Sequence, residues 1–190
     1  LLIKNLQITY PCKKIILDHF KLNLGTCTAL TGHSGCGKTS VIKAILDLLP
    51  YQGQMIKPNN NQIQWVCQDS FDAFSPFIPI HQAMEMPDIC PVTLKELTQT
   101  ITINPFTHQF PTQLSGGCLQ ALQIMRALAR KPNIVILDEP TNAMDAHLRA
   151  ATINVLKTWM LKRQLSIILV SHDRDMIHQL ALHSFTPYIQ

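Results

Sequence analysis

The chain has 190 residues and a formal net charge of +4, long enough for one domain that buries a core without disulfides or a structural metal. With 46% hydrophobic and 15% charged residues, it is neither a disordered nor a fibrous chain, and no Lys/Arg run is long enough to mark a nucleic-acid tail. The six cysteines, at positions 12, 27, 36, 67, 90 and 118, form no C-x-x-C pair and nothing at the start resembles a secretory signal, so reduced thiols are expected.

Alternating apolar residues predict strands over 2–9, 15–24 and 26–30, broken by Pro11 and Gly25, as an antiparallel layer feeding a buried strand. A glycine-rich stretch follows, and then apolar residues at helical spacing over 40–49. Residues 63–66 read as a further short strand. From 71 to 110 the chain is richer in Pro, Gln and Thr, which predicts a separate lobe with short helices near 80–86 and 94–101. A helix is expected over 115–131, ended by Pro132, then a strand at 134–137, a helix at 146–161 and a strand at 166–170. The strand at 134–137 is an unbroken apolar run of the kind buried on both faces of a parallel sheet, and that at 166–170 is expected to be buried too. They are far shorter than the ~20 residues that cross a bilayer, so any membrane role is expected to be peripheral. Strands alternating with helices predict an α/β domain with a mainly parallel sheet. The chain opens at Leu1 without a methionine and stops soon after its last motif, as a trimmed or shortened form of a longer protein would.

Gly32-His33-Ser34-Gly35-Cys36-Gly37-Lys38-Thr39 satisfies G-x-x-x-x-G-K-[ST] between a predicted strand and a predicted helix. The glycines let the backbone close around phosphates with its amides pointing inward, and the positive end of the next helix faces the same anion. Lys38 would reach the β and γ phosphates of a nucleotide, and the Thr39 hydroxyl would meet Mg²⁺. The stretch from Gly32 through Ser40 is assigned to the nucleotide. At 134–137 four apolar residues run into Asp138 and Glu139, placing two carboxylates at a strand's carboxyl end, where open α/β sheets hold ligands. Asp138 is expected to hold Mg²⁺ through water, and Glu139 to act as general base or to orient the attacking water.

Leu114-Ser115-Gly116-Gly117 precedes that acidic strand, and with it the chain resembles the ATP-binding cassette family. The likeness runs in family order from Tyr10 through the phosphate loop, Gln68, the segment at 114, Asp138-Glu139 and Asp145 to His172. It implies a P-loop ATPase core with an N-terminal antiparallel layer and a small helical subdomain. The core would comprise 1–67 and 132–190, and the lobe 68–131, including the helix after 115. By the same resemblance Tyr10 would stack on adenine, unless it is an ordinary strand tyrosine. Gln68 would touch Mg²⁺ or the attacking water, and His172 would hydrogen-bond the γ phosphate. Ser115, Gly116 and Gly117 would bind the γ phosphate held by a second ABC subunit, so the working unit would be a dimer sharing two ATP molecules. Asp145 would lie in the loop that crosses that interface.

Cys118 stands where the family usually has glutamine, which would weaken the site that borrows this chain's segment. Residues 68–76 with Glu85-Met86-Pro87, and Phe110-Pro111-Thr112-Gln113, resemble cassettes of peptide, nickel and metal-chelate importers. The resemblance implies ATP hydrolysis at the cytoplasmic face of the cell membrane, beneath integral membrane permease subunits supplied by an extracellular or periplasmic solute-binding protein. No nucleic-acid partner is expected. Phe71, Phe74, Phe77 and Ile78 would accept the membrane subunits or form the core of the lobe. The competing readings are a soluble, non-transport cassette acting on nucleic acid or ribosomes, and a regulatory nucleotide-binding partner with weak hydrolysis.

Overall fold

The computed structural model describes residues 1–189. Alternating apolar positions give β1 (Leu2–Tyr10) and β2 (Lys13–Lys21), paired antiparallel across the turn at Pro11 and Cys12. The second strand stops short of the predicted residue 24, because Gly25 turns at φ 69° and the Thr26 hydroxyl donates to the Asn23 carbonyl. Two strands that the alternation does not predict, β4 (Gln52–Ile56) and β9 (Tyr188–Ile189), complete the layer in the order β4-β1-β2-β9. β4 begins Gln-Gly-Gln and has no buried residue to betray it. Gly53 sits at φ 110°, and a Cβ there would run into the Asn5 carbonyl beside an irregularity in β1, so only glycine fits.

The second sheet contains β3 (Cys27–Leu30), β5 (Ile63–Val66), β6 (Ile134–Asp138), β7 (Ser166–Val170) and β8 (Ala181–Phe185). Its order is β5-β6-β7-β3-β8 and every neighbouring pair is parallel. The expected α/β architecture, a mainly parallel sheet with an antiparallel layer, is what the fold shows.

Helix α1 (Lys38–Ile45) starts two residues before the predicted 40–49 and ends well before it does. Asp47 adopts φ 57°, and the amides of Asp47 and Leu48 bond back to the carbonyls of Ala44 and Lys43. That is a left-handed helix stop, normally built on glycine. The lobe holds α2 (Ile80–Met84) and α3 (Pro91–Thr98). α3 opens at Pro91 because proline fits the first helical turn and has no amide to lose there. The remaining helices are α4 (Gly116–Ala129), α5 (Ala146–Arg163) and α6 (Arg174–Leu180).

Two cores flank the parallel sheet. Ile134, Ile136, Ile168 and Val170 face α1 and the antiparallel layer, packing with Ile3, Ile15, Phe20 and Ile42. Their neighbours Val135, Leu137, Ile167 and Leu169 face the other way, onto α4, α5 and the lobe. Strand pleating produces this alternation. Burying a side chain such as Phe20, Ile42 or Leu128, all fully buried, contributes roughly 1.5–3 kcal/mol. Lobe residues Ile80, Met84, Leu94 and Leu97 belong to the same cluster as Val135 and Leu137, so lobe and sheet share one core. Phe74, expected either to meet a membrane subunit or to form the core of the lobe, is buried in that cluster with the Arg126 guanidinium 4.2 Å over its ring. Phe71, Phe77 and Ile78 remain exposed.

Candidate active site

The carboxyl ends of β3, β6 and β7 lie side by side, and a cavity of about 310 Å³ opens there. Lys38, Thr39, Gln68, Asp138, Glu139 and His172 all line it. These residues lie in four separate stretches of the sequence and meet because β5, β6, β7 and β3 stand side by side in that order.

The loop from β3 to α1 is shaped by its glycines. Gly37 caps α1 at φ 106°, and a Cβ there would lie 2.5 Å from the Ile15 side chain. A Cβ on Gly32, at φ 125°, would lie 2.7 Å from the Cys36 sulfur. Cys36 is buried under the loop. No side chain caps α1 and no acidic residue sits in its first turn. Its free amides and positive dipole end therefore face the cavity, an arrangement that suits phosphate. The Lys38 ammonium donates to the carbonyls of Gly32 at 2.7 Å and His33 at 3.0 Å, which holds its charge at the loop's centre.

Asp138 and Glu139 end β6 and are both buried. Burial pushes the Asp138 carboxyl up to about 6, reinforced by the charge of Glu139 and opposed by Lys38. Glu139 adopts φ 48°, an uncommon backbone position for a residue with a side chain. Its Oε2 accepts from the Ser171 hydroxyl at 3.3 Å and the His172 amide at 3.4 Å. Its Oε1 is buried with no hydrogen-bond partner, and His172 Nε2 lies 3.6 Å away.

Those observations test the fit of a divalent cation. Among the described residues no cluster of three or more His, Cys, Asp or Glu could cage a metal. The cavity offers the Asp138 carboxylate, the Thr39 hydroxyl and the Gln68 amide. That sparse oxygen set suits Mg²⁺, which takes one or two protein ligands and completes its shell with phosphate and water.

Tyr10 stands beside the cavity, its hydroxyl 3.0 Å from Ser40 Oγ and the Lys13 ammonium 5.7 Å from its ring centroid. Ser115, Gly116 and Gly117 do not line the phosphate cavity. They start α4, where the Ser115 hydroxyl accepts from the Cys118 amide at 3.2 Å, and Gly116 lines a neighbouring groove with Gln68, Phe71 and Ala143. Asp145 caps α5, accepting from the Leu148 amide at 2.8 Å. Lys13 and Asn142 also line the cavity. No motif marks Lys13, which reads as an ordinary strand residue, whereas Asn142 opens the stretch 142–145 that leads to Asp145.

Residues 18–142 match the family model described as ABC transporter. Among curated proteins, the chain is 30% identical to the uncharacterized ABC transporter ATP-binding protein YejF of Escherichia coli K12, across 94% of this chain and 41% of that protein. It is 27% identical to the probable D,D-dipeptide transport ATP-binding protein DdpF of the same organism, across 95% of this chain and 67% of the relative. The chain thus spans roughly two fifths to two thirds of the length of these curated relatives. Among solved structures, a dimeric bacterial ABC transporter cassette, MJ0796, superposes with a TM-score of 0.81 at 22% identity, covering 97% of this chain and 94% of that one, a likeness of fold.

Proposed function

This chain belongs to the ABC transporter family, and from that premise we propose that it binds and hydrolyses ATP to drive a membrane transporter, as half of a nucleotide-sharing dimer. The observation that carries the reading is the meeting of Lys38, Thr39, Gln68, Asp138, Glu139 and His172 around one cavity.

In this reading the loop amides and the uncapped start of α1 receive the phosphates, with Lys38 on the β and γ groups. Thr39, Asp138 and Gln68 would hold Mg²⁺, which when bound neutralises charge on the β and γ oxygens. Glu139 orients or deprotonates the attacking water through its free Oε1, while Ser171 and the His172 amide hold the other carboxylate oxygen. The His172 ring is largely exposed beside that carboxylate, where it can meet the γ phosphate. Tyr10 offers its ring to adenine, and its bond to Ser40 fixes it against the phosphate loop.

Ser115, Gly116 and Gly117 stand outside the chain's own phosphate cavity, and Gly116 lines a different groove. This supports a site completed by a second cassette, whose γ phosphate would meet the start of α4. Domain boundaries follow the same logic: 1–67 and 132–190 form the nucleotide core and 68–131 the lobe. No helix among the described residues is long and apolar enough to cross a membrane. Phe77, 86% exposed, and Phe71, 50% exposed and on the groove with Gln68, offer apolar surface for an integral membrane partner. We assign the chain to the cytoplasmic face of the membrane. DdpF and the oligopeptide transport protein OppF of Haemophilus influenzae are relatives. They favour an importer of peptides or similar solutes, fed by an external binding protein.

The test is Mg²⁺-dependent ATP hydrolysis by the chain alone, then with candidate partner cassettes and membrane subunits. Turnover that rises steeply with protein concentration or needs the partner supports the shared-site motor. No hydrolysis in any pairing overturns it in favour of a regulatory subunit.

A further inference from the structure

The apolar positions of α4 explain its burial but not its polar ones. Gln120, Gln123 and Arg126 lie three residues apart along one row of the helix, and the two glutamines are almost fully buried. Each grips a different loop. Arg126 donates to the Ala73 carbonyl at 2.6 Å, in the stretch just before the exposed Phe77. Gln123 donates to the Cys67 sulfur at 3.1 Å, next to Gln68.

Gln120 uses both ends of its amide. Its Nε2 donates to the Glu139 carbonyl at 2.8 Å, and its Oε1 accepts from the Ala143 amide at 3.3 Å. One turn earlier on the helix, Gly117 approaches the same loop so closely that a Cβ would lie 2.5 Å from the Ala143 carbonyl. The start of α4 is therefore clamped, by two residues on one face, to the backbone that carries Glu139 at its left-handed φ. A shift in either end must be passed to the other or break buried hydrogen bonds.

We propose that Gln120 is a positioning residue that couples Glu139 to the phosphate-binding start of α4. Nucleotide in the chain's own cavity thereby adjusts the segment at 115–117 that serves the partner's nucleotide. The inference rests on the reading of that segment given above.

The test is hydrogen–deuterium exchange on the full chain, with and without Mg²⁺ and AMP-PNP. The chain is kept monomeric by dilution, checked by light scattering, so that no partner phosphate reaches α4. In the wild type, nucleotide should slow exchange at 32–39 and change it at 114–119 by about 5-fold or more, the lower end of ordinary coupling between sites. Gln120→Met, close in volume but without either bond, should keep the effect at 32–39 and lose it at 114–119. If circular dichroism shows that variant unfolded, Gln120→Glu carries the test, because it keeps an acceptor for Ala143 and loses the donor to Glu139. A wild type silent at 114–119, or a folded variant that still responds there, overturns the proposal. Absence of protection at 32–39 in the wild type overturns the nucleotide reading itself, and this inference with it.

Discussion

His172 meets Glu139 twice: its backbone amide points at Oε2 from 3.4 Å, and its ring nitrogen Nε2 stands 3.6 Å from Oε1. One residue at the end of β7 thus fixes one oxygen of the carboxylate and watches the other. The oxygen without a hydrogen bond is buried, with its capacity to accept unused.

Glu139→Gln should keep nucleotide affinity within a few-fold and lower turnover by about 10²- to 10⁴-fold, the range for losing a general base. The amide keeps the shape of the carboxylate but cannot take a proton. Steady-state hydrolysis and equilibrium nucleotide binding on the same preparation check this; turnover near the wild-type rate would place the base elsewhere.

Lys38→Ala removes the one ammonium held at the centre of the loop by Gly32 and His33. Hydrogen bonds from a charged group are worth about 1.5–3 kcal/mol, so affinity for Mg-ATP should fall by about 10- to 100-fold. Calorimetric titration reads it directly. An unchanged dissociation constant would remove the loop from the nucleotide site.

Asp138 makes stability depend on pH in a definite sense. Its carboxyl rises from 3.8 to about 6 on folding, chiefly through burial, so between those values the folded chain holds more proton than the unfolded one. Stability without nucleotide should therefore decline as pH rises across that window and stay lower above it. A shift of about two units corresponds to at most about 3 kcal/mol. Asp138→Asn should recover part of it, seen as a higher Tm at pH 8 than the wild type. A lower Tm for the variant would show that the charge is not a burden there.

The cysteines offer a labelling test of the fold. Cys90 stands at the N-cap position of α3, and the hydroxyl and amide of Thr93 nearby, aided by Lys131, bring its thiol down to about 7. Cys27 is buried in β3, and burial pushes it up to about 12. Iodoacetamide at pH 7.5 should modify Cys90 readily, at a rate that climbs as pH passes through about 7, and should reach Cys27 only after denaturation. Native labelling of Cys27 would contradict its placement in the sheet.

The phosphate loop, the acidic strand end and His172 are legible in the sequence because each is a local pattern with its own chemistry. Their meeting is not legible, since it depends on β7 lying between β6 and β3. The strand β4 escapes because an edge strand made of Gln, Gly and Gln carries no alternation. Helix α6 escapes because its seven residues hang on the Asp173 cap rather than on a long apolar face. The early stop of α1 depends on an aspartate taking the role usually given to glycine. Gln120 is the clearest omission. A glutamine inside an amphipathic helix reads as a solvent-facing residue, and its two partners lie 19 and 23 residues further along the chain.

The alternation of β6 between two cores has a consequence for how the chain finds its structure. Ile134, Val135, Ile136 and Leu137 are all apolar and all buried, so sliding the strand by one residue would exchange the membership of both cores without exposing any oil to water. Hydrophobicity alone cannot forbid that error. The correct alignment must come from the polar side chains that bound the run, Asn133 before it and the carboxylates of Asp138 and Glu139 after Leu137. A chain misaligned by a single residue would be compact and greasy inside, yet would aim Glu139 at the wrong half of the molecule. Folding fidelity here is guarded by a few polar bookends, and the residues that read as chemistry also serve as the ruler.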